Sequence, residues 1–140
     1  MLSWLFGSPS LKRVVTDLVG FPLEVVGESN YQNELSKIFH SPDVDVDSNS
    51  FDDDGSELES VLTLAVLVRE PRNPYDKNAV AVTIKSSLVG YLKKDQAARV
   101  SAQMDSANLK RFECKARVIG PDIFGVFLKV PKFGEIVISK

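Results

Sequence analysis

The sequence predicts a mainly β (α+β) protein: a partly closed β-barrel of about six strands with two or three small helices. Short apolar runs, several of them alternating, recur at 21–26, 61–68, 79–84, 88–92, 112–119 and 124–130. Gly, Pro, Asn, Asp and Ser separate them, as turn residues do. The helix-spaced patterns are short, so at 140 residues the strand density favours a barrel or sandwich over a helical bundle.

Taken in order, Ser10 to Leu18 reads as a short amphipathic helix. Ser10 serves as N-cap, Leu11, Val14, Val15 and Leu18 share a face, and Gly20 ends it. Phe21 to Val26 is a strand entering a turn at Gly27, and Asn33 to Phe39 makes two helical turns with Leu35, Ile38 and Phe39 inward. From His40 to Gly55 hydrophobic periodicity is lost among Ser, Asp, Asn and Pro, which reads as a flexible loop. Val61 to Val68 is a strong, central strand. Ala79 to Ile84 and Leu88 to Leu92 form a hairpin across Lys85-Ser86-Ser87. Asp95 caps a helix from Gln96 to about Asp105, with Ala97, Ala98, Val100, Ala102 and Met104 apolar. Phe112 to Ile119 and Phe124 to Val130 pair around Gly120-Pro121-Asp122, and Phe133 to Ile138 adds an edge strand. The domain division is thus a tail and short helix at 1–20, then a barrel at 21–138 interrupted by an acidic loop at about 40–57.

Composition is that of one soluble domain, 44% hydrophobic and 26% charged. The single cysteine, Cys114, lies in an alternating run and reads as a small buried hydrophobe; it excludes an intrachain disulfide and fits a reducing compartment. Met1 to Gly7 is apolar but too short for a secretory core or a membrane span, so the expectation is a cytoplasmic or nuclear protein with no membrane partner. The net charge of -2 conceals an uneven distribution, because residues 43–59 hold eight of the 19 carboxylates and no Lys or Arg. Outside them 17 basic residues face 11 acidic ones, a balance of +6 that suits a polyanion.

Enzyme chemistry has little to stand on. His40 is the one histidine, and neither a Gly-x-Ser-x-Gly elbow nor a Gly-rich phosphate loop is present. No catalytic residue, metal ligand or cofactor is expected. Asp43, Asp45, Asp47, Asn49 and Asp54 have the spacing of a calcium loop, but Ser48 stands where such a loop needs Gly and Asp54 where it needs the longer Glu. A solvated acidic segment is the better reading, with the further expectation that it competes with nucleic acid for the basic face.

The most informative stretch is Arg69 to Ala79. Pro71 and Pro74 exclude helix, and Asn73 and Asp76 can close Asx turns, leaving Tyr75 presented outward. From the residues alone, a stapled connection between strands and a binding loop both remain open. The run Arg69-Glu70-Pro71-x-Asn73-Pro74-Tyr75-Asp76-x-Asn78-Ala79-Val80-x-Val82, followed by Val89-Gly90-Tyr91-Leu92-Lys93-Lys94-x-x-Ala97, resembles the signature of the HIRAN domain family. Val25-Val26-Gly27 followed by Tyr31 is similar to the family's first strand and turn, and the resemblance spans roughly residues 21–130.

The resemblance implies an OB-like barrel that grips the 3′-hydroxyl end of single-stranded DNA in repair or replication-fork processing, beside a helicase or nuclease partner. By motif position, Tyr75 stacks on the terminal base and Asp76 accepts from the terminal hydroxyl. Lys94 and Lys93 meet phosphates, Tyr91 offers its hydroxyl to phosphate, and Phe124 lies against the bases. Tyr31 and Asn30 complete the DNA-binding set, although Ser29 and Asn30 stand where the family pattern has a basic and then an aromatic residue. That departure favours the alternative, a protein-interaction module docking through the acidic loop or the apolar Trp4/Phe6 tail.

Overall fold

A computed structural model of the chain describes residues 11–51 and 57–139. Strand β1 (Leu23–Val26) leads through a 3-10 turn (Glu28–Asn30) into helix α1 (Gln32–Phe39). Strands β2 (Asp45–Phe51), β3 (Glu57–Arg69), β4 (Val80–Ile84) and β5 (Ser87–Leu92) follow. Helix α2 (Lys94–Ser106) precedes β6 (Arg111–Gly120) and β7 (Gly125–Leu128). The sheet runs β2-β3-β4-β5-β1-β7-β6, and β6 returns to pair with β3. Six strands therefore close an antiparallel barrel, with β2 as an extra strand, so the mainly β expectation holds and the barrel is closed.

Closure rests on the register from Glu59↔Gly120 to Val68↔Arg111. The other edge of β3 is shared: β2 takes its first half, up to Leu62, and β4 takes Val66 to Arg69. Period-two alternation explains why the sheet curls around a core. In β6, Phe112, Cys114, Ala116 and Val118 are buried while Arg111 and Lys115 are exposed. Burial pushes the Cys114 thiol well above its ordinary pKa, as for an inert apolar filler. Leu35, Ile38 and Phe39 of α1 join the core at i, i+3 and i+4 spacing. Among the described residues no helix is long and apolar enough to cross a membrane.

Four expectations need correction. Residues 11–18 form no helix: Arg13 bridges Glu113 in parallel and Val14 bridges Ile138. Pairing with β6 and the far end of the chain satisfies this backbone, and the β-branched Val14 and Val15 suit it. Ser10, the expected cap, lies outside the described residues. Second, Asp45–Phe51, read as loop, pairs along β3. Third, Phe133 to Ile138 is a loop with a single bridge at Ile138, because carbonyls there are taken by α2 side chains. Fourth, α2 begins at Lys94 with Lys93 in the cap position, and Asp95 sits inside the first turn. Its buried stripe is Ala97, Val100, Ser101 and Met104, while Ala98 and Ala102 rotate to the exposed side.

Two backbone features set the geometry of the β4–β5 hairpin and its crossing with β1. Lys85 and Ser86 both adopt positive φ (52° and 67°), the two-residue turn whose twist matches a hairpin. Gly90 (φ 153°) lies where β5 crosses β1, and a Cβ there would sit 2.5 Å from Val25 Cγ1 and 2.6 Å from the Val26 carbonyl oxygen. Gly90→Ala is therefore expected to destabilise the barrel by roughly 1–3 kcal/mol, the usual cost of overpacking. Urea denaturation followed by circular dichroism measures it.

Candidate nucleic-acid interface

Between β3 and β4, residues 70–79 form a loop held open by its own polar groups. The Glu70 amide donates to the Ala79 carbonyl at 3.0 Å, which closes the loop's base. Asn73 Oδ1 accepts from the amides of Tyr75 (2.9 Å) and Asp76 (3.1 Å), and Asp76 Oδ1 accepts from the Asn78 amide (2.9 Å). These are the Asx turns expected of the two residues. Asn73 Nδ2 also donates to Glu70 Oε1 at 2.9 Å. At the end of β3, the Arg69 guanidinium pairs with both carboxylate oxygens of Asp105 on α2 and donates to the Lys77 carbonyl. That pairing holds the Asp105 carboxyl below its ordinary pKa.

This bracing leaves Tyr75 94% exposed, an unusual state for a large aromatic on a loop so tightly hydrogen-bonded. An open cavity of about 910 Å³ lies beside it. Its wall is the loop itself from Glu70 to Asp76 and at Ala79, with Tyr91 and Leu92 of β5, Lys94 at the start of α2 and Tyr31 just before α1. Five residues singled out from the sequence thus converge there: Tyr31, Tyr75, Asp76, Tyr91 and Lys94. Three lie outside the lining. Lys93 is exposed at the cap of α2, next to Lys94, and Asn30 is exposed on the 3-10 turn.

Phe124 is 6% exposed, with its ring 5.3 Å from that of Phe39. The Gln32 side chain locks it there: Nε2 donates to the Phe124 carbonyl, and Oε1 accepts from the Phe124 amide. A ring so buried offers no face to a base, and its place is in the core. The carboxylates Asp43 and Asp45 border a separate groove with Lys115, Arg117 and Lys129, and Asp43 pairs with Lys85.

The cavity carries two carboxylates, Glu70 and Asp76, and two cations, Arg72 and Lys94. Glu70 receives both Asn73 Nδ2 and the Tyr91 hydroxyl. Burial, then the hydrogen bond and charge of Glu70, push the Tyr91 phenol up to about 12. Asp76 Oδ2, by contrast, makes no hydrogen bond among the described residues, so an acceptor remains beside Tyr75. Glu70 and Arg72 were not singled out from sequence. The signal for Glu70 is its pairing with a residue on another strand, which local spacing does not carry.

Comparison with known proteins gives two findings. A family model described as the HIRAN domain matches residues 43–123, more than half of the chain. The chain is also 50% identical over 44 residues to the helicase-like transcription factor of Oryctolagus cuniculus, a stretch covering 31% of this chain and 4% of that protein. No solved structure matches.

Two outcomes are expected. Asn73→Ala removes three hydrogen bonds and should cost roughly 1–2 kcal/mol, as for loss of a capping side chain. Amide exchange at Tyr75 and Asp76 should quicken in the same variant. Because the folded pKa of Tyr91 is raised above the ordinary 10.0, its contribution to stability is complete below about pH 10 and is lost as pH rises toward 12. In a Tyr31→Phe/Tyr75→Phe background, ultraviolet titration should show the Tyr91 phenol ionising near pH 12, and Glu70→Gln should lower that midpoint.

Proposed function

The chain belongs to the HIRAN domain family, and we propose that it is a non-catalytic DNA-binding module that grips the 3′-hydroxyl end of a single strand. The observation that carries this reading is the convergence of an exposed aromatic, a free carboxylate oxygen and a lysine on one open cavity. Tyr75 stacks on the terminal base, a contact worth about 1–3 kcal/mol whatever the base. Asp76 Oδ2 accepts from the terminal 3′-hydroxyl. Lys94, with Arg72 of the same cavity and Lys93 beside it, holds phosphates without reading sequence.

The acids of the cavity give this arrangement its selectivity. A strand ending in hydroxyl can donate to Asp76, whereas one ending in phosphate brings negative charge against both Asp76 and Glu70. The loop's hydrogen bonds are made before any ligand arrives, so little ordering is needed on binding. A setting beside a helicase is supported by the name of the relative, a helicase-like transcription factor, and repair or replication-fork processing is part of the same proposal.

Fluorescence anisotropy with short oligothymidylates ending in 3′-hydroxyl or 3′-phosphate tests the reading. The hydroxyl end should bind about tenfold more tightly or better, and Asp76→Asn should erase most of that preference. Tyr75→Ala should weaken binding by about five- to 150-fold, the equivalent of one lost stacking contact. Lys94→Ala should reduce the slope of log K against log salt by about one. Equal affinity of the native protein for the two ends would sink the proposal.

A further inference from the structure

Beyond β7 the chain passes through Pro131-Lys132-Phe133-Gly134 between two buried anchors, Val130 and Ile136. Three side chains on one flank of α2, at i, i+3 and i+7, hold this loop. Arg99 donates to the carbonyls of Pro131 and Gly134. Gln103 donates to the Gly134 carbonyl at 3.0 Å and accepts from the Ile136 amide at 2.7 Å. Gln96 reaches the Lys132 carbonyl and braces the Arg99 guanidinium at 2.9 Å. Gly134 takes the left-handed conformation (φ 79°) that turns the backbone toward these donors.

The result of this clamping is a phenylalanine held out in solvent. Phe133 is 84% exposed, although burying such a ring contributes roughly 1.5–3 kcal/mol. Exposure of an apolar ring on a mobile loop is common; on a loop fastened at four backbone groups it is a fixed surface. The loop itself carries Lys132 and Glu135, and the residues just before Gln96, which bonds the loop, are Lys93, Lys94 and Asp95, all of them exposed.

Resting on the end-gripping function proposed above, we propose that Phe133 and Lys132 form a second stacking platform for the same DNA strand, engaging a base farther from its 3′ end. The helix geometry gives the path. At 100° per residue, the buried stripe of α2 separates Lys94 on the cavity flank from Gln96, Arg99 and Gln103 on the other. A strand leaving the cavity past Lys94 meets Lys93 at the exposed cap and then the Phe133 loop. It has to cross one helix, about 10–12 Å thick. Single-strand sites on OB-type barrels span about 4–16 nucleotides, more than a cavity for one terminus occupies.

Two probes with free 3′-hydroxyls separate this from the cavity: a thymidine dinucleotide followed by nuclear magnetic resonance titration, and a decathymidylate followed by anisotropy. Phe133→Ala should weaken the decamer by about fivefold or more and leave the dinucleotide within about twofold. Phe133→Trp should restore decamer binding, and Lys132→Ala should lower its salt slope by about one. An unchanged decamer affinity in Phe133→Ala overturns the proposal, as does equal weakening of both lengths. Either result leaves the cavity reading intact if the native protein still prefers the 3′-hydroxyl. Failure of the native protein to bind either probe removes both.

Discussion

Everything in this molecule hangs on one strand bonded along both edges. β3 pairs with β6 over ten registered positions on one side and divides its other side between β2 and β4. Because β3 is the seam of the barrel, its last residue, Arg69, is fixed in space by both neighbours. From there the guanidinium reaches the Lys77 carbonyl and Asp105, so the loop after β3 starts from a rigid end and is tied to a rigid helix. An open sheet would leave that end free, and the cavity beside Tyr75 would lose one wall's support.

Much of the fold was legible because its signals are local. The alternation in 112–118, the i, i+3, i+4 spacing of Leu35, Ile38 and Phe39, and the Asx residues Asn73 and Asp76 each specify structure over a few residues. What sequence reading missed depends on partners far away. Leu11, Val14, Val15 and Leu18 fit helical spacing, yet the donors and acceptors that claim this backbone lie at 113 and 137–139. β2 was hidden by its acidity, although Asp43-Val44-Asp45-Val46-Asp47 alternates in the period of a strand. The same rule holds at the cavity. Tyr75 and Asp76 were visible from their motif, whereas Glu70 has a role only through Asn73 and Tyr91, and Phe124 was misplaced because Gln32, 92 residues away, draws it inward.

Under the proposed function, one carboxylate of the cavity serves structure and recognition together. Glu70 holds the Asn73 amide and the Tyr91 hydroxyl, which locks loop to barrel, and its charge faces the same space that Lys94 and Arg72 border. Acids and bases stand in equal number there, so the site is not a general polyanion trap. Under the proposed function, attraction depends on where a strand places its phosphates, and a terminus meets that condition better than the middle of a strand.

The paired ends of the described chain have a mechanical consequence. Val15 donates to the Val137 carbonyl and Ser139 to that of Arg13, so residues 13 and 139 leave the domain side by side. Tension applied along the polypeptide from one side to the other is carried by this two-strand latch and by the bonds from Lys12 and Val14 to Glu113. The latch unzips one bond at a time, and the load enters the barrel through a single position of β6, Glu113. That position pairs with Val66 of β3, several residues short of the loop that carries Tyr75.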